Sequence, residues 1–273
     1  MSMTKEAIQH LEKTVLLAGV SASLAEVKAQ SPLIALPEGV NLSDLEGHME
    51  HRTSYRFNFS TKSIKDFGEY CKEFDKEGAK CFVNSDRMYA ETIFDLGTED
   101  KPLHQRHNSK LKLDKTAAFK AILCVNGDHM SQKAAANFVE DWADNIKVVN
   151  SDGEPMTNSQ AAKQLREITV EQVSNRDSKV SDFGESMSEF EKIEAKNQDK
   201  IPATIEFTCQ PYHGLANRAF TVRVSILTGG QKPEICFRII KLEAQEEDMA
   251  EEFKEILVEM FKDSELKTFI GES

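Results

Sequence analysis

Hydrophobic positions along the chain change period several times, and each change marks an element. From Thr4 to about Val20, Ile8, Leu11, Val15 and Leu16 fall at helical spacing with polar residues between them. That spacing predicts an amphipathic helix with Thr4 as its N-cap. Ser31–Gly39 is a Pro-bounded extended piece, and a short helical turn follows Asn41 with Leu42 and Leu45 inward. Thr53–Ser60 then alternates Tyr55, Phe57 and Phe59 against Ser54, Arg56 and Asn58, the signature of a half-buried strand. Ser63–Glu77 returns to the helical period through Ile64, Phe67, Tyr70, Cys71 and Phe74, with Gly78 as the stop signal. Two strands follow, Lys80–Ser85 and Met88–Leu96, joined by a turn at Asn84-Ser85-Asp86-Arg87, and Ser109–Leu113 alternates again.

The middle of the chain reads as helical. Thr116–Val125 is a short apolar helix ended by Gly127. Ser131 caps a helix to about Asn145, whose apolar face is Ala134, Ala135, Phe138, Val139 and Trp142. After a polar link at 150–155, Thr157 or Asn158 caps a third helix to about Glu167. Ile168–Ser174 is strand-like, and Asn175–Gly184 is polar and without periodicity.

Ala203–Gln210, Arg218–Thr228 and Pro233–Glu243 form a three-strand meander, with turns at Pro211-Tyr212-His213-Gly214 and Gly229-Gly230. Gln245 to about Lys262 closes the chain as a helix with Met249, Phe253, Ile256, Leu257 and Met260 on one face. Strands in runs with helices packed on them indicate an α+β fold with a largely antiparallel sheet. A single α+β domain over 1–273 is expected, divisible into 1–115, a helical insertion at 116–167, and 168–273 with the meander and C-terminal helix.

Charge changes this picture at one place. The chain carries 34 Lys+Arg against 46 Asp+Glu, a formal −12. The last 33 residues hold four lysines and eleven carboxylates, a net −7, which leaves −5 over the first 240. An acidic chain is poorly suited to coating duplex DNA or an anionic membrane, because both rest on neutralising negative charge. The final helix is therefore a candidate partner-facing surface, through Glu246, Glu247, Glu251, Glu252, Glu255 and Glu259. No apolar run reaches the roughly 20 residues a bilayer-spanning helix needs. The N-terminal pattern, broken by Lys5, Glu6, Glu12 and Lys13, lacks the apolar stretch of a signal peptide. A cytoplasmic protein with reduced thiols is expected, since the five cysteines are odd in number and none are spaced as a metal clip or redox pair.

Candidate chemistry is sparse. The chain has no phosphate-binding glycine loop, no dinucleotide fingerprint and no Gly-x-Ser-x-Gly elbow. His104 and His107 form a His-x-x-His pair that, with Asp95, could ligate a metal. Asp86, Glu91 and Asp95 are the carboxylates a metal-dependent nuclease would draw on, although Asp86 has the opposite strand parity. Arg52, Tyr55 and Arg56 interleave cation and aromatic, as do Arg218, Phe220 and Arg223, a pattern able to neutralise and stack single strands. The same parity also allows the aromatics to face the core while the arginines sit at its edge.

Several stretches resemble one family. They are Phe82-Val83-Asn84-Ser85-Asp86-Arg87-Met88, Ile93-Phe94-Asp95-Leu96-Gly97-Thr98, Pro102-x-His104-x-x-His107, Leu111-x-Leu113-x-x-Thr116-Ala117-Ala118-Phe119, Phe138-Val139-Glu140-Asp141-Trp142, Cys209-x-Pro211-Tyr212-His213-Gly214-Leu215 and Arg218-x-Phe220. In order and over nearly the whole chain, they are similar to the YfdQ-like proteins of tailed phages and prophages. Asn84 stands where that pattern suggests an acid, which would weaken any metal site shared with Asp86, and no glycine precedes His104. The resemblance implies a phage or prophage gene acting in the host bacterial cytoplasm, and it carries over no catalytic residue. The expected function is that of an accessory protein working by self-assembly into a homo-oligomer and by binding a host or phage protein, without catalysis or cofactor. The alternative is a DNA-processing or recombination factor that binds single-stranded DNA or cuts with a divalent metal.

Overall fold

The computed structural model describes residues 4–26, 46, 50–150, 152–168, 202–227 and 233–272. The extended piece at 31–39, the turn after Asn41, all but the start of the 168–174 strand, the 175–184 loop and the Gly229-Gly230 turn lie outside the described residues. The chain divides into two compact units, 1–55 and 56–273.

The first unit contains α1 (Lys5–Glu26). Thr4 Oγ1 accepts the Ala7 amide at 3.3 Å, as an N-cap should. The stripe at Ile8, Leu11 and Val15 exists at the expected spacing, but these side chains are exposed.

The second unit runs β1 (Phe57–Thr61), α2 (Ile64–Glu73), β2 (Lys80–Asn84), β3 (Tyr89–Ile93), β4 (His107–Lys112), α3 (Ala117–Cys124) and β5 (His129–Ser131). It continues through α4 (Gln132–Asp141), β6 (Ile146–Asn150), β7 (Pro155–Met156), α5 (Asn158–Glu167), β8 (Pro202–Cys209), β9 (Arg218–Leu227) and β10 (Glu234–Ile239). It ends with α6 (Leu242–Met260) and β11 (Lys267–Ile270). These strands form two sheets, one ordered β1-β4-β3-β2-β11 and the other β5-β10-β9-β8-β6-β7. The second is antiparallel throughout. The first is antiparallel at its centre, with a parallel strand on each edge. The fold is α+β, as the alternation of periods predicts.

Local chemistry sets the boundaries. Ser63, Thr116, Ser131 and Thr157 each cap the helix that follows by accepting an amide three residues on. Thr157 and Gln160 complete a reciprocal capping box. Helix α2 stops at Glu73, short of Gly78, which instead occupies a left-handed turn at φ 87. The β2–β3 hairpin closes where expected: Asn84 Oδ1 accepts the Arg87 amide at 3.1 Å, and Met88 adopts φ 50. Lys241 at φ 55 ends the meander, so β10 stops at Ile239 and α6 starts at Leu242, earlier than the periodicity predicts. The segment 116–167 holds the three expected helices and also β5, β6 and β7, which extend the second sheet.

One core fills the second unit. Cys81, Val83, Ala90 and Leu111 of the first sheet are buried under Phe67 and Cys71 of α2. Phe119 stacks on Phe220 at 5.3 Å, and Phe138 on Phe207 at 6.0 Å, holding α3 and α4 to the second sheet. Ala135 and Ala136 of α4, with Ala161 and Ala162 of α5, are fully buried where these two helices pack together. Helix α6 buries Met249, Phe253 and Leu257, and Phe261 just beyond it meets Phe67 edge-on at 6.2 Å.

Candidate functional site

The acidic residues of α6 have unequal surroundings. Glu252 is drawn inward: its carboxylate lies 2.8 Å from Arg218 Nη2 and also accepts the Ala216 amide at 2.6 Å. Glu251 pairs with Lys254 in the same helix and Glu259 with Lys262 just beyond its end, each three residues on. Glu246, Glu247 and Glu255 are exposed and have no ion-pair partner among the described residues. Two candidate surfaces from the sequence thus meet in one contact, since Arg218 belonged to the nucleic-acid set and Glu252 to the acidic set.

Of the other basic candidates on the second sheet, Arg218 and Arg223 do not share a face. Arg52 and Tyr55 are exposed residues of the first unit, and Arg56 precedes β1, which begins at Phe57. On β9, Arg218, Phe220 and Val222 point inward while Arg223 points outward, because residues five apart have opposite strand parity. Arg223 lies beside Arg238 on the outer face. The outward positions around them on β8, β9 and β10 (half-buried Thr204 and Glu206, exposed Ala219, Thr221 and Glu234) include no aromatic to stack a base.

Asp95, His104 and His107 also separate. Asp95 accepts the amides of His107 at 2.9 Å and Arg106 at 2.8 Å, so its carboxylate clamps the loop back onto β4. His107 is 2% exposed, packs against Phe94 and Phe74, and has Nε2 2.9 Å from the Tyr70 hydroxyl. Burial lowers its pKa; Lys76 acts in the same direction and Asp95 against it. His104 is exposed. Glu91 is held by Lys110 at 3.2 Å and by the Tyr89 hydroxyl at 2.8 Å, leaving Asp86 apart in the β2–β3 turn. Among the described residues, no group of three or more His, Cys, Asp or Glu side chains could hold a metal.

What the fold does build is an open cleft of about 670 Å³. One side is the first two turns of α6, with Glu243, Glu246 and Glu247. The other is the β2–β3 turn, the end of β4, the β4–α3 connection and α3, with Arg87, Lys112, Lys115 and Lys120 beside Asp86 and Asp114. Tyr212, packed on Phe119 at 5.9 Å, lies between, and burial and the Glu246 charge both raise its phenol pKa. The cations converge on Asp114, whose carboxyl is held below its ordinary range by the Lys62 hydrogen bond first, with Lys120 and Lys112 adding to it. Among the described residues, Lys112, Lys115 and Lys120 have no carboxylate within 4.0 Å, and neither have Glu243, Glu246 and Glu247 an ammonium. Arg87 is tied to Glu272 at 2.6 Å.

Sequence reasoning found the acidic side of this cleft and missed the basic one. A signal existed: Lys110, Lys112, Lys115 and Lys120 against the single acid Asp114, within eleven residues of an acidic chain. Their convergence depends on β4 ending beside α3 and on α6 returning from the far end of the chain.

Residues 4–273 match the family described as an uncharacterised conserved protein (DUF2303). No curated protein and no solved structure matches the chain. Among the described residues, no helix is long and apolar enough to cross a membrane.

Proposed function

The chain belongs to the DUF2303 family, and from that footing we propose that it is a phage- or prophage-encoded accessory protein acting in the host cytoplasm through protein contacts, self-assembly among them, rather than through catalysis. The likeness of its motifs to the YfdQ-like proteins supports the phage origin and, with it, the compartment. One observation carries the binding reading: a cleft lined by glutamates on one side and lysines on the other, none of which forms an ion pair among the described residues. Unpaired charges of both signs lining one concave surface suit a partner that brings their counterparts, because complementary potentials give association its rate and its selectivity.

The test is association of the full chain, compared with a Glu246→Lys/Glu247→Lys variant. Wild type should sediment as a complex, with itself or with a protein of the producing cell, and the variant should lose that complex. A wild-type chain that stays monomeric and recovers no protein sensitive to this reversal would contradict the reading.

Arg223 beside Arg238 supports a second reading, a DNA-processing factor that contacts phosphates along the outer face of the second sheet. It predicts salt-dependent binding of a labelled single-stranded oligonucleotide that weakens in Arg223→Ala. A metal-dependent nuclease would also show nicking lost in Asp95→Ala and a thermal midpoint raised by divalent metal. No binding at low salt would remove this reading.

A further inference from the structure

We infer that the cleft pairs with the cleft of a second copy of this chain about a twofold axis. The inference rests on the reading of the cleft as a protein-docking surface and names its occupant. Its basis is the division of charge: Glu243, Glu246 and Glu247 come from α6 on one side, and Lys112 at the end of β4, Lys115 in the connection and Lys120 of α3 lie on the other, where with Arg87 they outnumber Asp86 and Asp114.

That division limits what can fit. A basic partner would satisfy the glutamates and oppose the lysines, and an acidic partner would do the reverse. Only a surface divided in the same way satisfies both, and a second copy has that division by construction. A twofold axis through the cleft reverses its sides, so each copy's glutamates meet the other's lysines and both contacts form together. This is the self-complementary patch that an isologous dimer requires.

The charge balance is consistent with that occupant. The chain as a whole is at −12, so copies repel wherever their surfaces meet at random. The cleft is an exception, with four cations against five carboxylates. Like-charged contacts elsewhere and a balanced, divided contact here select one mode of self-association.

The test uses the full chain in sedimentation velocity and native mass measurement, at low and high salt. Three variants are needed: Lys115→Glu/Lys120→Glu, Glu246→Lys/Glu247→Lys, and all four changes together. Wild type should dimerise at low salt and dissociate as salt rises. Each two-residue reversal sets like charges across both halves of the interface, so the dimer should weaken at least about tenfold. Mixing the two reversed chains should give a heterodimer, since carboxylates then outnumber cations in one cleft and cations outnumber carboxylates in the other. The four-residue swap should dimerise again within about threefold of wild type, because it restores complementarity. Lys120, Glu246 and Glu247 are exposed, while Lys115 is half-buried with its ammonium 5.7 Å from the Phe119 ring centroid, and thermal midpoints near wild type confirm that each variant folds.

A wild-type monomer would overturn the inference, as would a dimer indifferent to the reversals, or reversed chains that neither pair when mixed nor recover when combined. A wild-type monomer whose cleft lysines are shielded by a different protein would overturn the twofold pairing and leave the docking reading intact.

Discussion

Arg218 Nη2 lies 2.8 Å from Glu252 Oε2, and the other oxygen of that carboxylate accepts the Ala216 amide at 2.6 Å. The contact joins the start of β9 to the middle of α6, and so ties the second sheet to the helix that also packs on β2 and β11 of the first. Both side chains are only about a fifth exposed, which makes an orphaned partner costly. Glu252→Ala should destabilise the protein by roughly 1.5–3 kcal/mol, the worth of a charged hydrogen bond, with Asp248 at 3.8 Å left as the remaining carboxylate beside Arg218. Glu255→Ala, at an exposed position of the same helix, should stay within about 0.5 kcal/mol of wild type. Urea unfolding of the two variants gives the comparison.

His107 links stability to pH. Its folded-state pKa is lowered from 6.5 by burial, so below that value the unfolded chain takes up a proton that the native imidazole resists. Stability is then full above about pH 6.5 and falls as pH drops from there toward the lowered native value. Thermal midpoints between pH 8 and 5 should show this decline, and His107→Gln should flatten that part of the profile. An unchanged slope in the variant would assign the decline to another group.

Gly68 of α2 faces Met260 of α6, where an added Cβ would meet the thioether sulfur. The thioether is the far end of a flexible side chain and can swing aside, so Gly68→Ala should change wild-type stability by no more than about 1 kcal/mol. With Met260→Ala in the background the clash is gone, and the same change should stabilise by up to about 1 kcal/mol, the helix preference of alanine over glycine. A larger gain in the Met260→Ala background than in wild type is the readout.

The thiols should separate in native labelling. Burial pushes Cys71 up to about 12 and Cys81 and Cys209 up to about 11, so all three are protonated at neutral pH. Cys124 is exposed. Ellman's reagent at pH 8 should modify Cys124 first, Cys236 more slowly, and the other three only after unfolding.

How much the sequence reveals differs between fold and site. Caps and periods are local, so the caps at Thr4, Ser131 and Thr157 and the helix starts at Ser63 and Thr116 could be read directly, and the fold class follows from them. The strands that escape reading are those whose reason to exist lies far away. Lys267–Ile270 is four residues long and becomes β11 only by pairing in parallel with Lys80–Val83. Ile146–Asn150 becomes β6 by pairing with Pro202–Phe207 across a long stretch of chain. Parity separates Arg218 from Arg223 and is visible in the sequence, but the capture of Arg218 by Glu252 is not. The cleft is non-local in the same sense: its lysines and glutamates are over a hundred residues apart in sequence and adjacent only once α6 folds back.

The most direct test of docking through the cleft is an amine-acylation footprint of Lys112, Lys115 and Lys120, taken in the producing cell and on the isolated chain in high salt. If the cleft is a protein-contact surface, these three lysines should be protected in the cell and regain reactivity in high salt, while the exposed Lys133 reacts equally in both. Equal labelling of all four lysines under both conditions would contradict the account.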